Sequence, residues 1–321
     1  MGRDVSGRAP STTAKVRANS AARALNLIGD RWSLTILRQA FMGVRRFEDF
    51  QSRIGLARSL LTDRLRRLET NGILRRVRYQ ARPPRDEYRL TEMGVDLYDS
   101  ALMLIRWEKR WHYDPTHATH RLRHACGKAF TPEYRCAACG EIVTARDVRT
   151  EEGPGAGFDA MQKPRAQRRS VVAGSDLDGQ DPMLERALQI LGDRWTAHVV
   201  AAAFQGHRRF GEFERALGIA SNILGDRLSR LTGLGVLEKR PDPTQPSRQT
   251  YRLTAEGLDL FPFVLAQIRW GDRWLAGPEG PPTLIYHRHC GQLLVGKITC
   301  DQCGEQATHH NTDLAPSSLL A

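Results

Sequence analysis

The sequence predicts a mainly α fold with small β wings (α+β), built twice along one chain, and three observations predict it. A nine-residue stretch, Ala24-Leu-Asn-Leu-Ile-Gly-Asp-Arg-Trp32, returns 163 positions later as Ala187-Leu-Gln-Ile-Leu-Gly-Asp-Arg-Trp195. The same offset lays Arg46-Phe47 on Arg209-Phe210, Asp63-Arg64-Leu65 on Asp226-Arg227-Leu228, Tyr88 to Thr91 on Tyr251 to Thr254, and Trp107 and Trp111 on Trp270 and Trp274. All six cysteines follow the repeated segments, three after each. A repeat of about a hundred residues is longer than the ~20 to 50 residue period of a solenoid, so two domains with their own cores are expected.

In the first copy Ala22, Leu25 and Ile28 recur at helical spacing from Asn19, and Gly29 supplies a stop. Asp30 stands where an N-cap would, and Trp32, Leu34, Ile36, Leu37, Ala40 and Phe41 give the next helix a buried face, with Trp32 expected in the core. A brief helix over Arg46 to Ser52, a turn at Ile54-Gly55 and a helix over Arg58 to Asn71 form a helix-turn-helix. Leu61, Leu65 and Leu68 face inward, which leaves Arg58, Ser59, Thr62, Arg66 and Glu69 on the other side. Small polar groups and Arg are the types that bond base edges when such a helix enters a major groove; taken alone, they equally describe a solvated helix face.

The next segment favours the groove. Gly72 to Tyr79 alternates as a strand, Ala81 to Asp86 is an Arg- and Pro-rich loop, and Glu87 to Thr91 is a second short strand. Together these make a winged helix-turn-helix. Arg82 and Arg85 at the hairpin tip are placed to reach phosphates or the minor groove, and Arg46 is assigned to phosphate as well. Thr91-Glu92 caps a long helix to about Trp111 whose stripe of Leu97, Leu104, Trp107 and Trp111 exceeds the needs of one small core. Part of it is expected against another domain or subunit.

These residues resemble the HxlR-type winged helix regulators of bacteria. The resemblance rests on the Ala24 to Trp32 stretch, Arg45-Arg46-Phe47, Leu61 to Leu68, Asn71 to Leu74 and Tyr88 to Gly94, and it extends over both copies. It implies DNA-binding transcription regulators, more often repressors, that dimerise through their first and last helices with one recognition helix per half-site. Two departures stand out. Members often carry a sensing cysteine at the start of the first helix, where this chain has Asn19 and Pro182, so thiol sensing at that place is excluded. The duplication also allows the usual homodimer to be replaced by an intrachain pseudo-dimer.

The cysteines read as Cys126-Gly, eight residues, Cys136-Ala-Ala-Cys139-Gly, and Cys290-Gly, eight residues, Cys300-Asp-Gln-Cys303-Gly. Cys-x-x-Cys-Gly is a zinc knuckle, and a fourth ligand is offered by His124 in the first copy and His287 in the second. Counted back from the cysteines, Arg123 matches His287. One structural zinc per copy is expected, held by His124, Cys126, Cys136 and Cys139 and by His287, Cys290, Cys300 and Cys303. Reduced buried thiols or a redox pair are the competing readings, but the strand-helix context of a thioredoxin-like pair is missing.

A formal charge of +12 and a pI near 9.9 point to a polyanionic partner. Val16 to Tyr113 carries 20 basic against 11 acidic residues, Pro182 to Gly277 only 13 against 10, so the first copy should supply more of the salt-dependent affinity. In the second copy Ser221, Asn222 and Ser229 replace Arg58, Ser59 and Arg66, and the wing from Pro241 to Arg248 carries an Asp and one Arg. Ser221, Asn222 and Ser229 are assigned to the groove, Arg209 and Arg248 to phosphate. No stretch reaches the ~18 apolar residues of a membrane helix, no secretory pattern opens the chain, and a cytoplasmic location is expected.

The expected division is a disordered basic arm (1–17), a winged domain (18–115), a zinc-ribbon-like module (116–149), a flexible linker (150–181), a second winged domain (182–277), a second ribbon-like module (278–308) and a disordered tail (309–321). The function expected is a sequence-specific double-stranded DNA-binding regulator, a repressor in preference, with a protein-docking module as the alternative. No phosphate-binding loop, triad or carboxylate pair supports an enzyme, and the sequence assigns no small-molecule effector.

Overall fold

The computed structural model describes residues 15–112, 120–160 and 184–316. Most of the expected N-terminal arm, residues 161–183 of the linker region and the last five residues lie outside the described residues.

Strand β1 (Lys15–Arg17) leads into α1 (Ser20–Ile28), α2 (Arg31–Phe41), α3 (Phe47–Ile54) and α4 (Arg58–Thr70). Asn19 caps α1 by accepting the Ala22 N–H, and Asp30 caps α2 by accepting the Ser33 N–H. Phe50, Leu61, Leu65 and Leu68 close the core under α3 and α4. Trp32 is half-buried rather than central: it packs on the edge of that core. β2 (Leu74–Gln80) and β3 (Arg85–Leu90) pair antiparallel, Leu74 opposite Leu90, to form the wing. The expected single last helix is two: Thr91 caps α5 (Glu92–Val95), the axis breaks at Asp96 and Leu97, and α6 (Tyr98–Trp111) follows. Strands β4 (His120–His124), β5 (Pro132–Cys136), β6 (Val148–Glu152) and β7 (Phe158–Ala160) complete this half.

The second copy repeats the order: α7 (Glu185–Leu191), α8 (Arg194–Phe204), α9 (Phe210–Leu217), α10 (Ser221–Gly233), β8 (Leu237–Pro241), β9 (Gln249–Leu253), α11 (Ala255–Leu258), α12 (Phe261–Leu275), then β10 (Thr283–His287), β11 (Gly296–Cys300) and β12 (Thr312–Pro316). Its wing also pairs antiparallel, with Leu237 opposite Leu253.

The two copies pack as a dimer within one chain. α6 and α12 cross each other, and α12 lies along α1 of the first copy. Their tryptophans exchange cores: Trp107 is fully buried in the cluster that holds the second copy, and Trp270 is buried in the first copy's core. The contacts come in pairs related by the repeat. Trp107 Nε1 donates to the Glu256 carbonyl (2.9 Å) and Trp270 Nε1 to the Met93 carbonyl (2.8 Å). Trp111 Nε1 donates to Asp259 (3.0 Å), and Trp274 Nε1 to Asp96 (2.8 Å). Such reciprocity is the mark of an isologous, two-fold interface. It accounts for the apolar stripe that one domain could not bury.

The segments after the winged domains are interleaved. β4 pairs with β12, β5 with β11 and β6 with β10, so every one of these pairs joins one copy to the other. Three expectations are corrected here. Residues 150–160 are not linker, because β6 pairs with β10 and β7 with β1. Lys15–Arg17 of the supposed arm is that partner strand. Residues 312–316 of the supposed tail form β12. In each case the partner lies more than a hundred residues away, where local periodicity carries no signal.

The two-fold is broken where α12 meets α1. The second copy has Gly271 there, and a Cβ on it would collide with the Ser20 carbonyl oxygen. The equivalent position in α6 is Glu108, buried, with its Oε1 accepting the Ala187 N–H of α7 at 2.6 Å. Burial pushes this carboxyl up to about 7 from its ordinary 4.5, against the stabilising Ala187 and Arg186 N–H groups and with help from nearby Glu185. A carboxyl raised in the folded state contributes stability below its unfolded value and loses it as pH rises through the folded one. Glu108→Gln should therefore gain on the parent by about 3 kcal/mol between pH 4.5 and 7.5, at ~1.4 kcal/mol per pKa unit. Urea melts across that range check this, and a pH-independent difference would refute it.

Candidate DNA-reading faces and metal centres

Helices α4 and α10 are each held from behind by the repeated Gly-Asp-Arg-Trp stretch. Asp30, the cap of α2, pairs with the buried Arg64 of α4 at 3.1 Å. Asp193 takes Arg227 of α10 through two bonds of 2.8 and 3.0 Å. Burial alone would raise the Asp193 carboxyl, but the Arg227 and Thr196 bonds outweigh it and hold it below its usual range. Asp30, Arg64, Asp193 and Arg227 position α4 and α10, a role that sequence reading missed. The signal was present, since both partners recur at the same offset.

Arg58, Ser59, Thr62 and Arg66 are all exposed along one side of α4. The Arg58 guanidinium lies over the Phe47 ring at 4.8 Å, and the Thr62 hydroxyl donates to the Arg58 carbonyl at 2.8 Å. Arg82 and Arg85 are exposed at the wing tip. In the second copy Ser221, Asn222 and Ser229 are exposed on α10, with the Ser221 hydroxyl bonded to Glu214. Arg248 is exposed on its wing.

The two arginines before α3 and α9 differ in kind. The Arg46 guanidinium rests on the Tyr79 ring, 4.8 Å from its centroid, with no acidic partner among the described residues. Arg209 bonds Asp242 at 2.5 and 3.2 Å and Thr244 at 2.9 Å. Asp242 aligns with Tyr79. The Arg209 guanidinium, followed by the Thr244 N–H and hydroxyl, holds the Asp242 carboxyl well below the usual carboxylate range. The first copy presents a cation at this place and the second a neutralised pair.

The thiols and imidazoles gather into two clusters, and each takes residues from both copies. His124, Cys126, Cys300 and Cys303 form one; Cys136, Cys139, His287 and Cys290 form the other, the ligand atoms of each lying within 4.8 Å of one another. The expected eight residues are all present, but the expected grouping by copy is corrected: β5 pairs with β11, which brings each Cys-x-x-Cys knuckle to the other copy's His and Cys. His124 also takes the place of His287. His124 faces Thr312 across β4 and β12, while His287 faces Val148 across β10 and β6. The one-residue difference falls between His and Cys, where counting back from the cysteines had placed Arg123.

A tetrahedral zinc with arms of ~2.3 Å to sulfur and ~2.0 Å to nitrogen has edges of about 3.8 Å between sulfurs and about 3.5 Å from sulfur to nitrogen. Cys136 and Cys290 sulfurs are 3.9 Å apart, and Cys139 and Cys290 stand 3.3 and 3.5 Å from His287 Nδ1. In the other cluster Cys303 stands 3.4 Å from His124 Nδ1. The knuckle glycines, Gly140 and Gly304, sit at φ +79 and +76, which only glycine adopts without strain, and return their N–H groups to the Cys136 and Cys300 carbonyls. All six cysteines are free thiols. The donor set and its spacing fit zinc.

Comparison with known proteins places both halves in one group. A family model described as HxlR-like helix-turn-helix matches residues 27–115 and 190–279. An uncharacterized HTH-type transcriptional regulator of Mycobacterium tuberculosis is 44% identical over 131 residues, 41% of this chain and 83% of that protein. The Bacillus subtilis HTH-type regulator YvaP, also uncharacterized, is 35% identical over 95 residues, 29% of this chain and 88% of its own. The crystal structure of PA1607, described as a candidate transcription factor, is 34% identical, covers 40% of this chain and 91% of its own, and superposes with a TM-score of 0.37.

Proposed function

This chain belongs to the HxlR-like helix-turn-helix family and is a transcriptional regulator of that kind, and on that premise we propose that one chain carries a complete but unequal pair of DNA readers. The observation that carries the proposal is the reciprocal tryptophan interface. A two-fold sets its two halves at the same height along its axis, the relation that a pair of readers on a pseudo-palindromic site requires. Arg58, Ser59, Thr62 and Arg66 of one reader and Ser221, Asn222 and Ser229 of the other enter major grooves. Arg46, Arg82, Arg85 and Arg248 meet phosphate. Arg209 does so only weakly, because Asp242 already balances it. Repression follows if the occupied site overlaps a promoter, and action on DNA supports a cytoplasmic location. No helix among the described residues is long and apolar enough to cross a membrane.

We also propose two structural zinc ions, each bound by one His and three Cys, two ligands from either copy. A closed tetrahedral shell supplies a rigid cross-link. Here it ties the two winged domains together after their last helices, and so fixes the separation of the readers.

A salt titration tests the DNA reading. Affinity for duplex DNA should fall steeply with salt, and Asp242→Asn, which keeps the acceptor for Thr244 while freeing Arg209, should tighten binding a few-fold and steepen the logarithmic slope by about one. A parent protein without salt-dependent DNA binding would favour the docking alternative. An unchanged slope in the variant would remove Arg209 from the phosphate contacts.

A further inference from the structure

A cavity of about 300 Å³ lies between the copies, walled by α2 and α6 of the first, α7 and α12 of the second, and the segment leading into β12. Its lining is mostly apolar, with an aromatic side formed by Phe41, Tyr98 and His309: their ring centroids are 5.2 Å (Phe41 to Tyr98), 5.3 Å (Tyr98 to His309) and 6.1 Å (Phe41 to His309) apart. Three polar atoms of its walls have no partner among the described residues: Ser100 Oγ, Gln267 Oε1 and His309 Nδ1. Ser100 and Gln267 are 4% and 1% exposed. Leaving a buried polar group unsatisfied costs about 1–3 kcal/mol, so three in one cavity call for an explanation.

The repeat shows that this is no requirement of the fold. The second copy has Phe263 where the first has Ser100, and the first has Leu104 where the second has Gln267. Phe204 and Phe261, 5.3 Å apart, replace Phe41 and Tyr98. Phe263 and Leu104 line the same cavity, so the pairs Ser100 with Phe263 and Leu104 with Gln267 each give it one polar and one apolar side chain.

We propose that this cavity is an effector site for a flat, two-ring aromatic molecule bearing a hydroxyl group. The volume is about twice that of a ~150 Å³ cavity that accepts benzene. The rings of Phe41, Tyr98 and His309 offer stacking and edge contacts. A phenolic hydroxyl both donates and accepts, so it can give its proton to Gln267 Oε1 and receive a bond from Ser100. A molecule seated there touches both copies. It therefore biases the angle between them, and coupling to DNA affinity is reciprocal.

The probe is 2-naphthol, with naphthalene as the control that lacks the head group, titrated into the full chain without DNA. The site predicts saturable 2-naphthol binding about ten-fold or more tighter than naphthalene. Gln267→Leu, which copies Leu104, should erase that preference. Ser100→Phe, which copies Phe263, should abolish both bindings while the melting temperature and DNA affinity stay at parental values. No saturable 2-naphthol binding, an equal response to both compounds, or a Gln267→Leu variant with the preference intact would overturn the site. The effector role is read separately: saturating 2-naphthol should shift affinity for a selected duplex several-fold in the parent but not in Ser100→Phe. Binding with unchanged DNA affinity would overturn that role, and absence of DNA binding altogether would fault the DNA reading and not the site.

Discussion

Serine at both Cys126 and Cys300 is expected to leave one zinc per chain, whereas serine at both Cys126 and Cys136 leaves none. The first pair belongs to one cluster and the second is divided between the two. A grouping by copy would give the reverse: none retained for Cys126 with Cys300, one for Cys126 with Cys136. The effect on stability should be large. Structural zinc binds with an apparent ~10–16 kcal/mol, which is as large as the ~5–15 kcal/mol by which whole domains are stable. Even a few kcal/mol lost at each site should lower Tm on the order of 10 °C, at ~2–4 °C per kcal/mol. Metal analysis and melting curves on the same samples read both consequences. Chelation of the parent should resemble the variant without zinc, with the winged domains still folded on their own cores but no longer held at one separation.

Reversing charge at Arg58 and Arg66 together should cost DNA affinity at least 100-fold at fixed salt. Each good base contact contributes about 1–3 kcal/mol of discrimination, and the reversal adds repulsion from phosphate. Both side chains are exposed, and among the described residues neither carries an ion pair, so the melting temperature should hold within a degree or two, as expected for ordinary surface substitutions. The counterpart in the second copy, Asn222→Asp with Ser229→Glu, should cost clearly less, because that reader begins with fewer cations. Binding measured at one salt concentration for both variants decides it. Full affinity in the Arg58 and Arg66 variant would show that α4 is not the reading helix.

Much of the winged domains was legible because their information is local. The caps at Asp30 and Thr91, the leucine spacing of α4 and the alternation of β2 are all carried by neighbours in sequence. The repeat then exposed what differs between the copies. What stayed hidden was long-range. Nothing near Thr312 announces that it will pair with His124, and nothing near Cys136 announces that its knuckle will complete a shell with His287. Grouping the ligands by copy was the natural reading of adjacent residues, and strand exchange overruled it. The partner of Arg209 stayed hidden for a similar reason: its charge was visible, but Asp242, thirty-three positions on, folds back to balance it. The break at Asp96 and Leu97 also escaped notice, since the apolar stripe continues across it.

Native mass spectrometry of the full chain on a duplex selected from random sequence tests the central claim most directly. One chain with two zinc ions should occupy a duplex that spans two successive major-groove faces, ~34 Å apart, and shortening the duplex to a single face should weaken binding sharply. Two chains on that duplex, each engaged through its first copy alone, would contradict the claim that a single chain holds both readers.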